Sequence, residues 1–273
     1  MNKKKPGVTP ARKLAKLSYS APALEKGIEI VELLASVSGG LTVSDIAARL
    51  DRSMNEVFRI ILVMVAHGLL RKDPETDLYS VTYKLLELAL RATPAKSLSV
   101  VAVPIMEGLA ISTNQSVHMV VHAGSHGLIV QRQENVHLHG GFAVRAGATV
   151  DLVKSCSGHV LLAFAAPHFL EHTLKQVPRP LPWPKAKLDR TLATVRRRGY
   201  EMQPSLRTAG VTDISFPVYG FDGNLVAALT VPYLARIDDS APTTLQQTRV
   251  LLGQAAWRIS SALGAAGKSG KAR

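Results

Sequence analysis

The sequence predicts a two-domain α+β chain: an N-terminal winged helix-turn-helix, a short helical linker, and a larger C-terminal domain mixing strands and helices. Three observations predict it. Two helix-start signals, at Thr42 and Ser53, lie close together and are followed by a short hairpin pattern. A Thr93-Pro94 break separates that region from the rest. From Gln115 onward the apolar period shifts from helical to two, and helical stretches then recur. The chain has 273 residues, room for one large or two ordinary domains.

Taken in order, the first stretch is a cationic arm, "MNKKKPGVTPARKLAKLSYS", residues 1–20. It carries six cations (Lys3, Lys4, Lys5, Arg12, Lys13, Lys16) and no acid, and it reads as disordered by composition. In "APALEKGIEIVELLASVSGG", Leu24, Ile28, Val31, Leu34 and Ala35 recur at helical spacing, and Gly39-Gly40 closes the helix. Thr42 with Asp45 resembles a capping box for a short helix, "VSDIAARL". Ser53 with Glu56 is a second capping box, and it opens "SMNEVFRIILVMVAHG". That helix is apolar along Val57, Ile60, Ile61, Val63, Met64 and Leu69, polar in its first turns, and stopped by Gly68. "LLRKDPETDLYSVT" follows as two short strands around a Pro-Glu-Thr-Asp turn. Helix, short helix, tight turn, helix and two-stranded wing is the chain order of a winged helix-turn-helix over residues 21–81.

"YKLLELALRA" is an amphipathic linker helix (residues 82–96 with its Pro94 break). A long helix with a kink at Pro104 opens the second domain, residues 97–265. "SVHMVVHAGSHGLIVQRQ" reads as two strands, "SGHVLLAFA" and "HFLEHTLKQV" as helices, and "PRPLPWP" as a loop. "KAKLDRTLATVRRRGY" is a helix stopped by Gly199. "DISFPVYGFDGNLVAALTVPY" is a hairpin about Asp222-Gly223, and an amphipathic helix closes the domain. Residues 266–273 form a second basic tail with Lys268, Lys271 and Arg273.

The formal charge of +13 is unevenly placed. Nine of the excess charges sit in the two tails, while residues 21–91 hold eight cations and ten acids. A basic arm suits a polyanion such as DNA and also suits simple solvation. No apolar run reaches the roughly 18 residues that span a bilayer, and the N-terminus lacks the apolar core of a secretory signal. Cys156 is the sole cysteine, which excludes an intrachain disulfide framework. These features predict a cytoplasmic protein with no membrane partner.

Four stretches in order, "ALEKGIEIVELLA", the segment through "EVFRIILVMVAHGLLRKD", "KSCSGHVLLAF", and "RRRGYEMQPSLRTAGVTDISFPVYGFDGNLVAALTVP", resemble the IclR family of bacterial transcriptional regulators. The resemblance runs from Ala23 to about Gly264. It implies a GAF-like effector-binding second domain and a homodimer or homotetramer on a palindromic operator in double-stranded DNA, with dimer contacts through the first and linker helices. It implies no cofactor and no catalysis. There are departures. Glu56 stands where the family has a small hydroxyl residue, and Met54 where it often has Lys. Asp213 stands where an apolar or thiol residue is usual.

A helix-turn-helix reads bases with the first turns of its second helix, while the flanks and wing touch phosphates. The candidate DNA contacts are therefore Ser53, Asn55, Glu56 and Arg59, with Arg52, Arg71 and Lys72 at the backbone. Glu56 could accept from a cytosine amino group or serve only as a cap. The family's effector pocket maps onto Cys156, Ser157, Gly158, Gln203, Asp213 and Thr230. Backbone N–H groups at Ser157 and Gly158 would suit a carboxylate, and Asp213 would suit a hydroxyl or amino donor. Together they favour a small organic acid, an aromatic or sugar acid derivative. His118, His122 and His126, or His137 and His139, could group around a metal, but neither a CxxC nor an HExxH spacing is present and none is expected. Cys156 with His159 leaves one alternative: a small-molecule-binding or thiol enzyme carrying a winged helix for protein contacts.

Overall fold

A computed structural model describes residues 21–91, 93–134, 144–178, 180–235 and 242–265. The basic arm, the basic tail, His137 and His139 lie outside the described residues. The chain divides into two compact units between Ala92 and Thr93.

The first unit holds α1 (Pro22–Ala35), α2 (Val43–Leu50), α3 (Met54–Ala66), the strands β1 (Leu70–Lys72) and β2 (Tyr79–Val81), and α4 (Lys84–Arg91). Thr42 and Asp45 form the expected reciprocal cap of α2, with the Asp45 N–H 3.2 Å from the Thr42 hydroxyl. Asp51 ends α2 in the left-handed region (φ 53°), so the chain turns at once into α3. The cap of α3 differs from expectation. Ser53 accepts the Glu56 N–H, but the Glu56 carboxylate turns to Lys26 on α1 instead of back to the cap. A charged partner on a neighbouring helix outcompetes a solvated local N–H.

Ile30, Leu34, Ile46, Ala47, Val57, Ile61, Met64, Leu70 and Tyr79 make the core of this unit. Two apolar assignments are corrected. Leu24 and Ile28 on α1 are exposed, because the face through Ile30 and Leu34 is the one that meets α3. Val63 is exposed as well, since it lies off the Val57–Ile61–Met64 stripe. Leu41 forms a single antiparallel bridge with Tyr79 beside the wing.

The second unit begins with α5 (Thr93–Thr113). It starts four residues earlier than the expected boundary, because Pro94 sits in its first turn, where no N–H is required. It runs as one helix through Pro104. The sheet contains β3 (Val117–Ala123), β4 (His126–Gln133), β5 (Thr149–Val150), β6 (Glu201–Pro204), β7 (Val211–Tyr219) and β8 (Leu225–Leu234), in the order β5-β4-β3-β8-β7-β6. Every neighbouring pair is antiparallel. The helices α6 (Cys156–Ala163), α7 (Pro167–Gln176), α8 (Lys185–Arg198) and α9 (Leu245–Ala262) complete the unit.

Strand alternation sorts the side chains into two cores. Met119, Ile214, Val218, Leu229 and Val231 face α5 and α9. Val120, Ile129 and Ala228 face α6 and α8. Every residue of α6 is buried, as its all-round apolar sequence requires. Its approach to the preceding loop depends on Gly158, where a Cβ would stand 2.5 Å from the Leu152 carbonyl oxygen and 2.7 Å from that of Asp151.

Candidate functional site

On α3, Val57, Ile61 and Met64 point inward, so helical geometry turns Asn55 and Arg59 outward, and both are exposed. The Arg59 Nε–H donates to the Asn55 carbonyl at 3.4 Å, which leaves the guanidinium fork at the surface. The other expected contacts are already engaged. Arg52 reaches Glu29 on α1 at 3.3 Å, Arg71 donates to the Ser80 hydroxyl at 3.1 Å, and Lys72 meets Asp77 at 2.5 Å. The Lys26 ammonium holds the Glu56 carboxyl below its usual range, so Glu56 stays charged and braced against α1. Sequence reasoning missed the exposed apolar flank formed by Met54, Phe58 and Leu62 at spacing four.

The second unit holds a cavity of about 290 Å³ between the sheet and the turn that opens α6. Direct pairings across the sheet explain its floor. His118 opposes Thr230, Thr230 opposes Ser215, and Ser215 opposes Glu201, so four polar side chains from β3, β8, β7 and β6 form one row facing α6. All four are buried. Asp213 and Gln203 oppose each other two residues further along β7 and β6 and face the same way.

Five of the six expected residues, Cys156, Ser157, Gln203, Asp213 and Thr230, line this cavity. Gly158 does not. Its N–H donates to the Ser155 hydroxyl at 3.0 Å, and its lack of a side chain serves the close approach already described. Sequence reasoning missed His118, Lys154 and Arg207 as cavity residues. Lys154 could have been found, since it adjoins the "SCSG" turn. Arg207 and His118 arrive through loop path and strand register, which leave no local signal.

The row is satisfied at all points but one. The Ser215 and Thr230 hydroxyls share a hydrogen bond of 2.9 Å. Glu201 meets His159 Nδ1 at 3.2 Å and accepts the Met202 N–H at 2.8 Å. His159 Nε2 donates to the Val153 carbonyl at 2.8 Å, and its ring lies 5.1 Å from that of Trp183. His118 Nδ1 is buried and has no partner. Burial alone lowers the His118 pKa to about 4, so the imidazole is neutral near pH 7. Burial likewise raises the Asp213 carboxyl, against a Ser205 hydrogen bond and the nearby Arg207 charge.

Cys156 has none of the surroundings of a nucleophile. Burial first, then the Glu201 and Asp213 charges, push its thiol well above the ordinary range. Sγ lies 3.4 Å from the Asp213 carbonyl and 3.5 Å from that of Glu201. His159, the expected base, is committed to Glu201 and Val153. The described residues contain no cluster of three potential metal ligands; His122 bonds to Thr173 at 2.9 Å.

A winged helix-turn-helix with an exposed recognition helix, joined to a cavity-bearing α+β unit, defines a helix-turn-helix transcriptional regulator. The sequence matches the bacterial transcriptional regulator IclR C-terminal family over residues 91–261 and the IclR helix-turn-helix domain over residues 23–74. The chain belongs to the IclR family. The HTH-type transcriptional regulator BhcR of Paracoccus denitrificans is 27% identical over 77% of this chain and 76% of its own. XynR of Escherichia coli is 24% identical over 89% of this chain and 97% of its own. The crystal structure of an IclR homolog from Microbacterium hydrocarbonoxydans, complexed with 4-hydroxybenzoate, superposes with a TM-score of 0.73. It is 27% identical and covers 88% of this chain and 98% of its own. Among the described residues no helix is long and apolar enough to cross a membrane.

Proposed function

We propose that this regulator acts in the cytoplasm as a homodimer or homotetramer on a palindromic operator, and that a small organic acid in the second unit modulates its binding. The cavity carries the reading. Lys154 and Arg207 supply positive charge, and the turn into α6 leaves the Cys156 and Ser157 N–H groups for an anion, since the Gly158 N–H is taken. The 4-hydroxybenzoate held by the Microbacterium homolog supports an acid of this size.

Asn55 and Arg59 read base edges, with Met54 and Phe58 beside them to meet thymine methyl groups. Arg52, Arg71 and Lys72 exchange their surface ion pairs for phosphates, at little cost because such pairs are weak. Glu56 is a brace for the helix. Exposed Leu24 and Ile28 on α1, and exposed Tyr83 and Leu86 around α4, supply apolar surface for dimer contacts through the first helix and the 82–96 linker. Ligand occupancy then alters the spacing of two recognition helices relative to their half-sites. The thiol-enzyme alternative is disfavoured on this reading, since Cys156 is buried and its thiol is pushed well above the ordinary range.

The test is fluorescence anisotropy with the intergenic DNA beside its own gene, across a salt series, with unrelated DNA as competitor and 4-hydroxybenzoate as trial effector. A competitor-resistant complex whose affinity shifts with the acid is expected. Binding that is sequence-blind and erased by salt would leave only the basic tails at work.

A further inference from the structure

The polar row across the sheet poses a question that the effector reading leaves open. Thr230, Ser215 and Glu201 are each hydrogen-bonded within the protein. His118 lines the same cavity, is only 6% exposed, and has a ring nitrogen without a partner. A buried polar atom left unpaired is costly, so a site that carries one is completed by what enters it.

The position of His118 restricts what can complete it. It stands on β3, while Gln203 stands on β6, three strand spacings away or about 14 Å along the sheet. Arg207 follows β6 in sequence and its charge acts on Asp213, so it belongs to the β6–β7 side. Lys154 is tied to that side too, because its carbonyl accepts from the Gln203 amide at 2.9 Å. The cavity therefore has one end that carries Lys154 and Arg207 beside Asp213, and His118 stands at the other. The unpartnered Nδ1 of a neutral imidazole presents either an N–H or a lone pair, according to the tautomer, and a hydroxyl group, which both donates and accepts, can meet it in either state. If Ser215 donates to Thr230, the Thr230 proton is free to join His118 at that end.

We propose that His118 is a specificity-determining residue of the effector pocket, and that it selects acids carrying an uncharged hydroxyl at the end remote from the carboxylate. The assignment rests on the effector reading above and goes beyond it by naming the group that His118 recognises. A site built to hydrogen-bond a hydroxyl rejects the analogue that lacks it, because the buried polar group is then left unpaired.

Isothermal titration calorimetry of the full-length protein with 4-hydroxybenzoate and benzoate tests this. Wild type should prefer the hydroxylated acid by about tenfold or more. His118→Phe should bring the two affinities within about threefold by weakening 4-hydroxybenzoate while keeping benzoate, and the retained benzoate binding shows that the pocket is intact. His118→Gln, which keeps a donor and an acceptor, should restore part of the preference and serves if the Phe variant does not fold. Discrimination that survives both substitutions, or a wild type indifferent to the hydroxyl, overturns the assignment of His118 while leaving the effector reading standing. A wild type that binds neither acid overturns the assignment together with the reading of the pocket as one for an aromatic acid of this size.

Discussion

Because His118 is buried and neutral, acid should weaken the second unit by a calculable amount. Its folded pKa, about 4, lies below the ordinary histidine value of 6.5. The unfolded chain therefore binds the proton more readily, and the stability associated with a neutral His118 is fully present above the unfolded value. It is lost as pH falls from about 6.5 toward about 4. Between about pH 7 and about pH 5 the two pKa values convert to a loss of about 2 kcal/mol. For a unit of this size that is a fall in Tm of about 4–8 °C. The perturbation is His118→Gln, which cannot titrate, and the assay is thermal unfolding by circular dichroism at both pH values. Subtracting the variant's pH dependence from that of wild type cancels groups common to both, among them His122, whose pKa burial also lowers. The difference should recover most of the 2 kcal/mol. Melting curves that fall in parallel would refute the claim that His118 is buried and neutral.

Four further outcomes follow from the same geometry. Arg59→Ala should weaken operator binding by about 1–3 kcal/mol without changing Tm; equal affinity in a DNA titration would remove Arg59 from the reading surface. Glu201→Leu leaves His159 Nδ1 and the Met202 N–H without their partner and should cost about 1–3 kcal/mol in chemical denaturation, so an unchanged midpoint would count against these hydrogen bonds. Gly158→Ala drives a methyl into the Asp151–Leu152 backbone and should prevent the second unit from folding, whereas Gly108→Ala, with open space around it, should raise stability by up to about 1 kcal/mol. Cys156 should resist iodoacetamide in the native protein and react after unfolding; rapid native labelling would reopen the thiol-enzyme alternative.

What was legible in the sequence followed a physical division. The α2–α3 region was readable because its signals are local: Thr42 and Asp45 cap one helix, Ser53 starts the next, and Gly68 ends it. The α1 helix was misjudged because it carries two apolar stripes, one through Leu24 and Ile28 and another through Ile30 and Leu34. Only the position of α3 decides between them. Strand β5 was invisible because two residues, Thr149 and Val150, are too few to show a period. In the cavity, the "SCSG" turn and the 203–213 region could be identified by resemblance. His118 entered the sequence reading as a metal candidate and not as a pocket residue, because its role is set by pairing with a strand more than a hundred positions away.

The row His118–Thr230–Ser215–Glu201 also acts as an address label for the sheet. Side chains alternate faces along a strand, so a slip of one residue in β7 or β8 would send Ser215 or Thr230 into the apolar layer beneath α5 and α9. The same slip would bring Ile214 beside the buried Glu201, or Leu229 between His118 and Ser215. Both errors are costly. A run such as "LVAALTVP", apolar on both faces, has little else to distinguish one alignment from the next. Four polar residues in a line give it one alignment that the interior accepts.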